Sequence, residues 1–217
     1  MAKEHHADVA MFPELSLTGY EPTLASESAI DSNDDVLRPL IELAVRSGVT
    51  IVAGCPIRSA QSKPFIGAFI VRPDMQTETY RKRFLHPGEE EHFIPSNDTF
   101  VCSCSGRAVG IAICADINNP MHPADASKHN ATVYAAGVAM TLRGIDEAEA
   151  NLSNYAKQYR MLAVMANYAS ATGGHPMAGR SEIWNESGVI VAQAAGEGEC
   201  IVLAENGGGW IGRVVEA

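Results

Sequence analysis

Apolar and polar positions alternate along this chain with two periods, near two and near 3.6 residues, and the period switches repeatedly. Residues 7–12 (ADVAMF) predict a strand ended by Pro13. Val36, Leu40, Ile41, Leu43 and Ala44 predict a helix, with Asp34 and Asp35 as N-cap candidates, Pro39 in its first turn and Gly48 as its stop. Residues 49–55 and 65–71 are apolar runs of strand type. After a turn at Pro73-Asp74-Met75, another strand runs toward Tyr80 and Lys82. Residues 99–104 and 108–114 predict a hairpin around Ser105-Gly106-Arg107. A short helix is expected after Pro123, a strand over 132–136, a longer helix over 146–160 and a buried strand over 161–167. Residues 189–194 and 200–204 predict a last hairpin around a Gly-Glu-Gly turn, with Gly207-Gly208-Gly209-Trp210 and a short strand after it.

Strands that alternate with helices, together with hairpins, predict a layered α/β protein with mixed pairing, organised as one domain over residues 1–217. A chain of this length can bury roughly 70% of its unfolded surface, so it needs no disulfide or metal staple. Sixteen basic against 26 acidic residues give a net charge of -10, which repels phosphate backbones and argues against a nucleic-acid partner. No apolar run approaches the ~20 residues of a membrane-spanning helix. The five cysteines are odd in number and form no CxxC pair, which points to a reducing, cytoplasmic compartment.

Ligands of open α/β sheets sit beyond the carboxyl ends of strands, and three reactive residues fall there. Glu14 follows the first strand, Lys82 closes the strand that starts near Gln76, and Cys114 ends Val-Gly-Ile-Ala-Ile. A thiol between a strand and a following turn can be held as thiolate by backbone N–H groups, which would make Cys114 a nucleophile. The competing reading is an inert core cysteine. The apolar neighbours of Glu14 raise a carboxyl toward the range of a general base, whereas a loop-capping glutamate is its plainer role. Lys82, flanked by two arginines, is either an oxyanion partner or a surface lysine.

Taken together, these segments resemble the nitrilase superfamily, the carbon–nitrogen hydrolases. The resemblance rests on Phe12-Pro13-Glu14-Leu15-Ser16-Leu17-Thr18-Gly19-Tyr20, on Tyr80-Arg81-Lys82 with Leu85, and on Gly110-Ile111-Ala112-Ile113-Cys114-Ala115-Asp116. Gly179-Arg180-Ser181 and the hairpin containing Gly188 add to it. It implies a four-layer αββα sandwich, here without the usual first strand and most of the first helix, since only a few residues precede the ADVAMF strand. It implies Glu14 as general base, Cys114 as nucleophile, and Lys82 with the Ala115 N–H as oxyanion partners. A second family glutamate falls on Glu89 by spacing, with Glu90 and Glu91 as close competitors.

No cofactor or metal is required by this chemistry, and His86, His92 and His122 match no compact ligand spacing. His122 either lines the pocket or lies on the surface. The expected activity is hydrolysis of a small amide, ω-amide or N-carbamoyl compound by a homodimer or larger homo-oligomer. The alternatives are a true nitrilase, a catalytically silent relative that binds a small molecule or partner protein, and a cysteine hydrolase with a Cys–His pair. The loops at 20–25, 118–122 and 141–147 are the expected substrate-facing segments.

Overall fold

The computed structural model describes residues 1–196 and 198–216. Its first sheet has the order β1-β2-β3-β4, from Val9–Met11, Thr50–Ile57, Phe65–Val71 and Thr77–Arg81. β1 runs parallel to β2, and the other neighbours pair antiparallel, with Ile51 opposite Val71 and Phe69 opposite Thr79. The second sheet has the order β10-β9-β8-β7-β6-β5. Its strands are β5 Val101–Cys104, β6 Arg107–Ile113, β7 Val133–Gly137, β8 Leu162–Ala166, β9 Glu182–Trp184 and β10 Ile190–Gln193. The central three, β6, β7 and β8, are mutually parallel, and the flanking pairs are antiparallel.

The two sheets face each other, and helices cover their outer sides. Every residue of β2 is buried, as expected when both faces of a strand are covered. Ile51, Ala53, Cys55 and Ile57 share a core with Phe69, Val71, Leu37 and Ala44 beneath α1 (Arg38–Ser47). The alternate residue Val52 joins Ile66, Ala68 and Ile70 in the larger core that includes the second sheet. On the far side lie α2 (Met121–Lys128) and α3 (Ile145–Tyr159). Gly110 of β6 lies under Ala126 of α2, and the Tyr134 ring of β7 meets Tyr155 of α3 edge-on, with centroids 6.4 Å apart. The layers are therefore helix, sheet, sheet, helices. Residues 1–7 form hydrogen-bonded turns, and β1 is the edge strand of its sheet.

Several local expectations need correction. Helix α1 starts at Arg38, after a 3-10 turn over Asp35–Leu37, and the Asp34 carboxylate accepts from the Asp31 N–H instead of capping the helix. Its end is as expected: Gly48 takes φ 74 and its N–H reaches the Ala44 carbonyl. Helix α2 begins at Met121, so Pro123 lies inside its first turn, where the missing N–H costs nothing. The last hairpin pairs differently. β10 pairs with β9, while β11 (Cys200–Asn206) pairs with β12 (Trp210–Glu216) around the glycine run at 207–209. Glu197 of the expected Gly-Glu-Gly turn lies outside the described residues.

Candidate active site

Glu14 reaches its position because two strands lack side chains where its loop passes. A Cβ on Gly54 of β2 would sit 2.4 Å from the Leu15 nitrogen and 2.8 Å from the Pro13 carbonyl oxygen. One on Gly137 of β7 would sit 2.6 Å from the Phe12 carbonyl oxygen. The loop is thus wedged between β2 and β7, one strand from each sheet. Hydrogen bonds fix it there: Phe12 N–H to the Val52 carbonyl at 2.9 Å, Leu17 N–H to the Gly54 carbonyl at 2.9 Å, and the Tyr168 hydroxyl to the Glu14 carbonyl at 2.7 Å.

Lys82 is the first residue past β4, and its ammonium donates to Glu14 Oε1 at 2.7 Å and to both oxygens of Glu89 at 2.9 and 2.8 Å. The three are 0%, 1% and 4% exposed for Lys82, Glu14 and Glu89 respectively. Glu89 also accepts from the Tyr20 hydroxyl at 2.8 Å and from the His86 N–H at 2.7 Å. Glu90 and Glu91 are exposed, so of the three adjacent glutamates Glu89 is the one brought to the lysine. Cys114 is the first residue past β6, held at φ 43, a backbone region costly for a side chain with a Cβ. It opens a 3-10 turn over Cys114–Asn118. Ala115, second in that turn, is buried, and N–H groups at the start of a turn have no partner within it.

The carbon–nitrogen hydrolase family model matches residues 1–206. The chain belongs to the carbon–nitrogen hydrolase family. Over 121 residues it is 33% identical to a glutamine-dependent NAD(+) synthetase of Xanthomonas campestris, a match covering 52% of this chain and 22% of that protein. It is 28% identical over 204 residues to the 2-oxoglutaramate amidase of Bacillus subtilis, covering 92% of this chain and 78% of that one. The chain spans about a fifth to a third of the NAD(+) synthetases it matches, 22% and 33% for two of them. Its fold is similar to that of the NitN amidase of Nesterenkonia sp. AN1, with TM-score 0.82 and 23% identity over 90% of this chain and 78% of that one. Saccharomyces cerevisiae Nit3, of the nitrilase superfamily, gives TM-score 0.84 at 18% identity, covering 91% and 76%.

Within this member of the carbon–nitrogen hydrolase family, burial sets the electrostatics of the site. It raises the Glu14 carboxyl to about 7, against the opposing pull of Lys82, and the Glu89 charge adds to the rise. Burial alone would lower the Lys82 ammonium, but Glu14, Cys114 and Glu89 outweigh it and hold the lysine well above its ordinary value. The thiol departs from the sequence expectation. Burial, then the Glu14 charge, push Cys114 far up, and the opposing help from Lys82 and the Ala139 N–H is too small to make a resting thiolate. Glu14 Oε2 carries no hydrogen bond. The Cys114 thiol beside it favours the ionised carboxylate without reaching full hydrogen-bond geometry.

Asp116 is the residue that sequence reasoning passed over. Its fully buried carboxylate accepts from Ile113 N–H (2.9 Å), Arg83 N–H (3.1 Å), Phe84 N–H (2.9 Å) and the Tyr80 hydroxyl (2.6 Å). It therefore ties the Cys114 turn directly to the chain on either side of Lys82. His122 neither lines this site nor lies on the surface. It is 4% exposed, with Nε2 2.8 Å from the Tyr80 hydroxyl and Nδ1 2.8 Å from that of Tyr134. Of the expected substrate-facing loops, the first reaches the site through Tyr20. No sequence signal marks Tyr168 or Ala139, which come from elements distant in the chain. Among the described residues, no helix is long and apolar enough to cross a membrane.

Proposed function

We propose that this protein hydrolyses small amides through Cys114, Glu14 and Lys82. The observation that carries the reading is the buried ion cluster in which one ammonium contacts Glu14 and Glu89 beside a strained cysteine. Glu14 takes the thiol proton as Cys114 sulfur attacks the amide carbon. The Lys82 ammonium and the Ala115 N–H hold the oxyanion of the tetrahedral intermediate. Glu14 then returns the proton to the leaving ammonia, which gives a thioester. Next it removes a proton from water, which attacks the thioester and frees the acid and the thiol. Glu89 keeps Lys82 oriented and charged.

The substrate class supported best is an ω-amide, because relatives are named for glutamine and for 2-oxoglutaramate, which both carry one. A homo-oligomer built across the α2 and α3 layer is part of the same proposal. Ammonia release would be measured from a panel of ω-amides, aliphatic amides, N-carbamoyl compounds and nitriles, with Cys114→Ala alongside. Removing a buried sulfur while keeping its β-carbon changes little volume, so the variant is expected to fold and to release no ammonia. Release by the variant at the native rate would sink the assignment of Cys114. Release from nitriles alone would replace amidase by nitrilase.

A further inference from the structure

A second pair of thiols sits apart from this site. Cys102 and Cys104 lie two residues apart on β5, so both point to the same face of the sheet, and their sulfurs are 3.6 Å apart. Each is 3% exposed, yet β5 is the edge strand of its sheet, and Ser103 between them is exposed. We propose that Cys102 and Cys104 are a site of reversible oxidation, which hydrogen peroxide closes to a disulfide within the strand.

The surroundings favour it. The two sulfurs are within hydrogen-bonding reach of each other, the Arg72 guanidinium lies near both, and the Thr50 hydroxyl adds a smaller influence that favours a charged Cys104. These groups hold Cys104 below the ordinary thiol range although burial and the Glu78 carboxylate, which pairs with Arg72, oppose them. Burial instead pushes Cys55 up to about 12 and Cys114 higher still. Peroxide attacks thiolate, so Cys104 is the preferred target in the resting protein. Its sulfur takes one peroxide oxygen to give sulfenic acid, and the other oxygen leaves as hydroxide, which becomes water. Cys102 sulfur then attacks the Cys104 sulfur. The S–S bond forms, the S–O bond breaks, and the Cys102 proton leaves with the hydroxyl as a second water. The two sulfurs lose two electrons and peroxide gains them.

Strand spacing makes the link reversible. Alternate residues on a strand are about 6.6 Å apart, near the upper limit of about 6.8 Å between the α-carbons of a disulfide. A bond closed at that limit is strained, and strained disulfides are the readily reduced ones.

The test uses the full chain carrying Cys114→Ala, so that the reaction-site thiol takes no part. It is treated with equimolar peroxide, alkylated and digested with trypsin. Both cysteines fall in one peptide, residues 84–107, between cleavage after Arg83 and after Arg107. The expected result is a loss of two hydrogens from that peptide and of both its alkylation sites, restored by dithiothreitol, before Cys55 or Cys200 reacts. Adding Cys102→Ser should leave Cys104 as a sulfenic acid trapped by dimedone, with no link. Cys104→Ala, checked for folding by its thermal transition, should abolish both products. Continued alkylation of Cys102 and Cys104 while Cys55 or Cys200 oxidises, or a link formed only between chains, overturns the proposal.

Discussion

Gly54→Ala tests the argument that a missing side chain positions Glu14. The added Cβ would lie 2.4 Å from the Leu15 nitrogen and 3.1 Å from the Glu14 carbonyl carbon, whereas ordinary contact begins near 3.4 Å. The nearest contact is about 1 Å too short, and a misplacement of that size can cost about a hundredfold in rate. Both neighbours are backbone, so no side chain can swing aside. The loop itself must move, although the Tyr168 hydroxyl and the Val52 and Gly54 carbonyls hold it.

Overpacking of this kind costs about 1–3 kcal/mol. For a chain of this size each kcal/mol lowers Tm by about 2–4 °C. Gly54→Ala is therefore expected to fold, to melt several degrees lower and to lose about two orders of magnitude in kcat. The assays are calorimetric melting and ammonia release from the best ω-amide of the panel. Gly209→Ala is the control, since a Cβ there meets nothing within 4 Å, and it should change neither. A folded Gly54→Ala protein with kcat within twofold of native would refute the reasoning, whatever its Tm, because the loop would then have moved without consequence for turnover.

Three further outcomes are expected. As the proposed base Glu14 works only when ionised, and its carboxyl is raised to about 7, so kcat/KM should fall about tenfold per pH unit below that point; a flat profile down to about pH 5 would exclude it as the base. Asp116→Asn puts an amide nitrogen where two donors now meet an oxygen, and should cost about 3 kcal/mol in urea unfolding and detach the Cys114 turn; a loss under about 0.5 kcal/mol would show that the four bonds are dispensable. Glu182 is buried between β9 and α3, and burial followed by the nearby Glu149 raises its carboxyl from 4.5 to about 7. The folded state holds that proton more tightly than the unfolded one, so its stability contribution is full below pH 4.5 and is lost as pH rises through about 7. Glu182→Gln should accordingly raise Tm at about pH 8 and leave it nearly unchanged at about pH 4.5, and an equal effect at both would contradict the assignment.

The layered fold and the Glu14, Lys82 and Cys114 segments were legible because each is a local pattern: an apolar run, then a polar residue at its end. The failures have a common physical cause in contacts between distant segments. β9 has three residues, too few for an alternation, and is a strand because β8 and β10 flank it. Gly54 and Gly137 look like ordinary strand glycines until the loop after β1 is seen to press on both. His122 looked like a pocket or surface residue because the tyrosines that bury it come from β4 and β7. The raised thiol is the same lesson in electrostatics: a turn that offers N–H groups favours thiolate only if the rest of the fold leaves it solvated. Here the fold buries it beside a carboxylate.

That thiol constrains how the proposed chemistry must run. With Glu14 ionised, transfer of the Cys114 proton would leave a buried thiolate against Glu89 and Lys82 with only modest help, so a free thiolate is not a resting species. Proton transfer and attack therefore have to advance together, with charge passing from sulfur to the substrate oxygen as it forms, where Lys82 can stabilise it. The exposures suit that order. Cys114, at 7% exposure, is the most accessible of the four residues, while Glu14, Lys82 and Glu89 are more deeply buried at 1%, 0% and 4%. A substrate that enters over the sulfur meets the proposed nucleophile first, with the proposed base and the Lys82 ammonium already in contact with each other. Arrival of the amide then supplies the oxygen that receives the developing charge, and until it arrives the same burial keeps the thiol protonated.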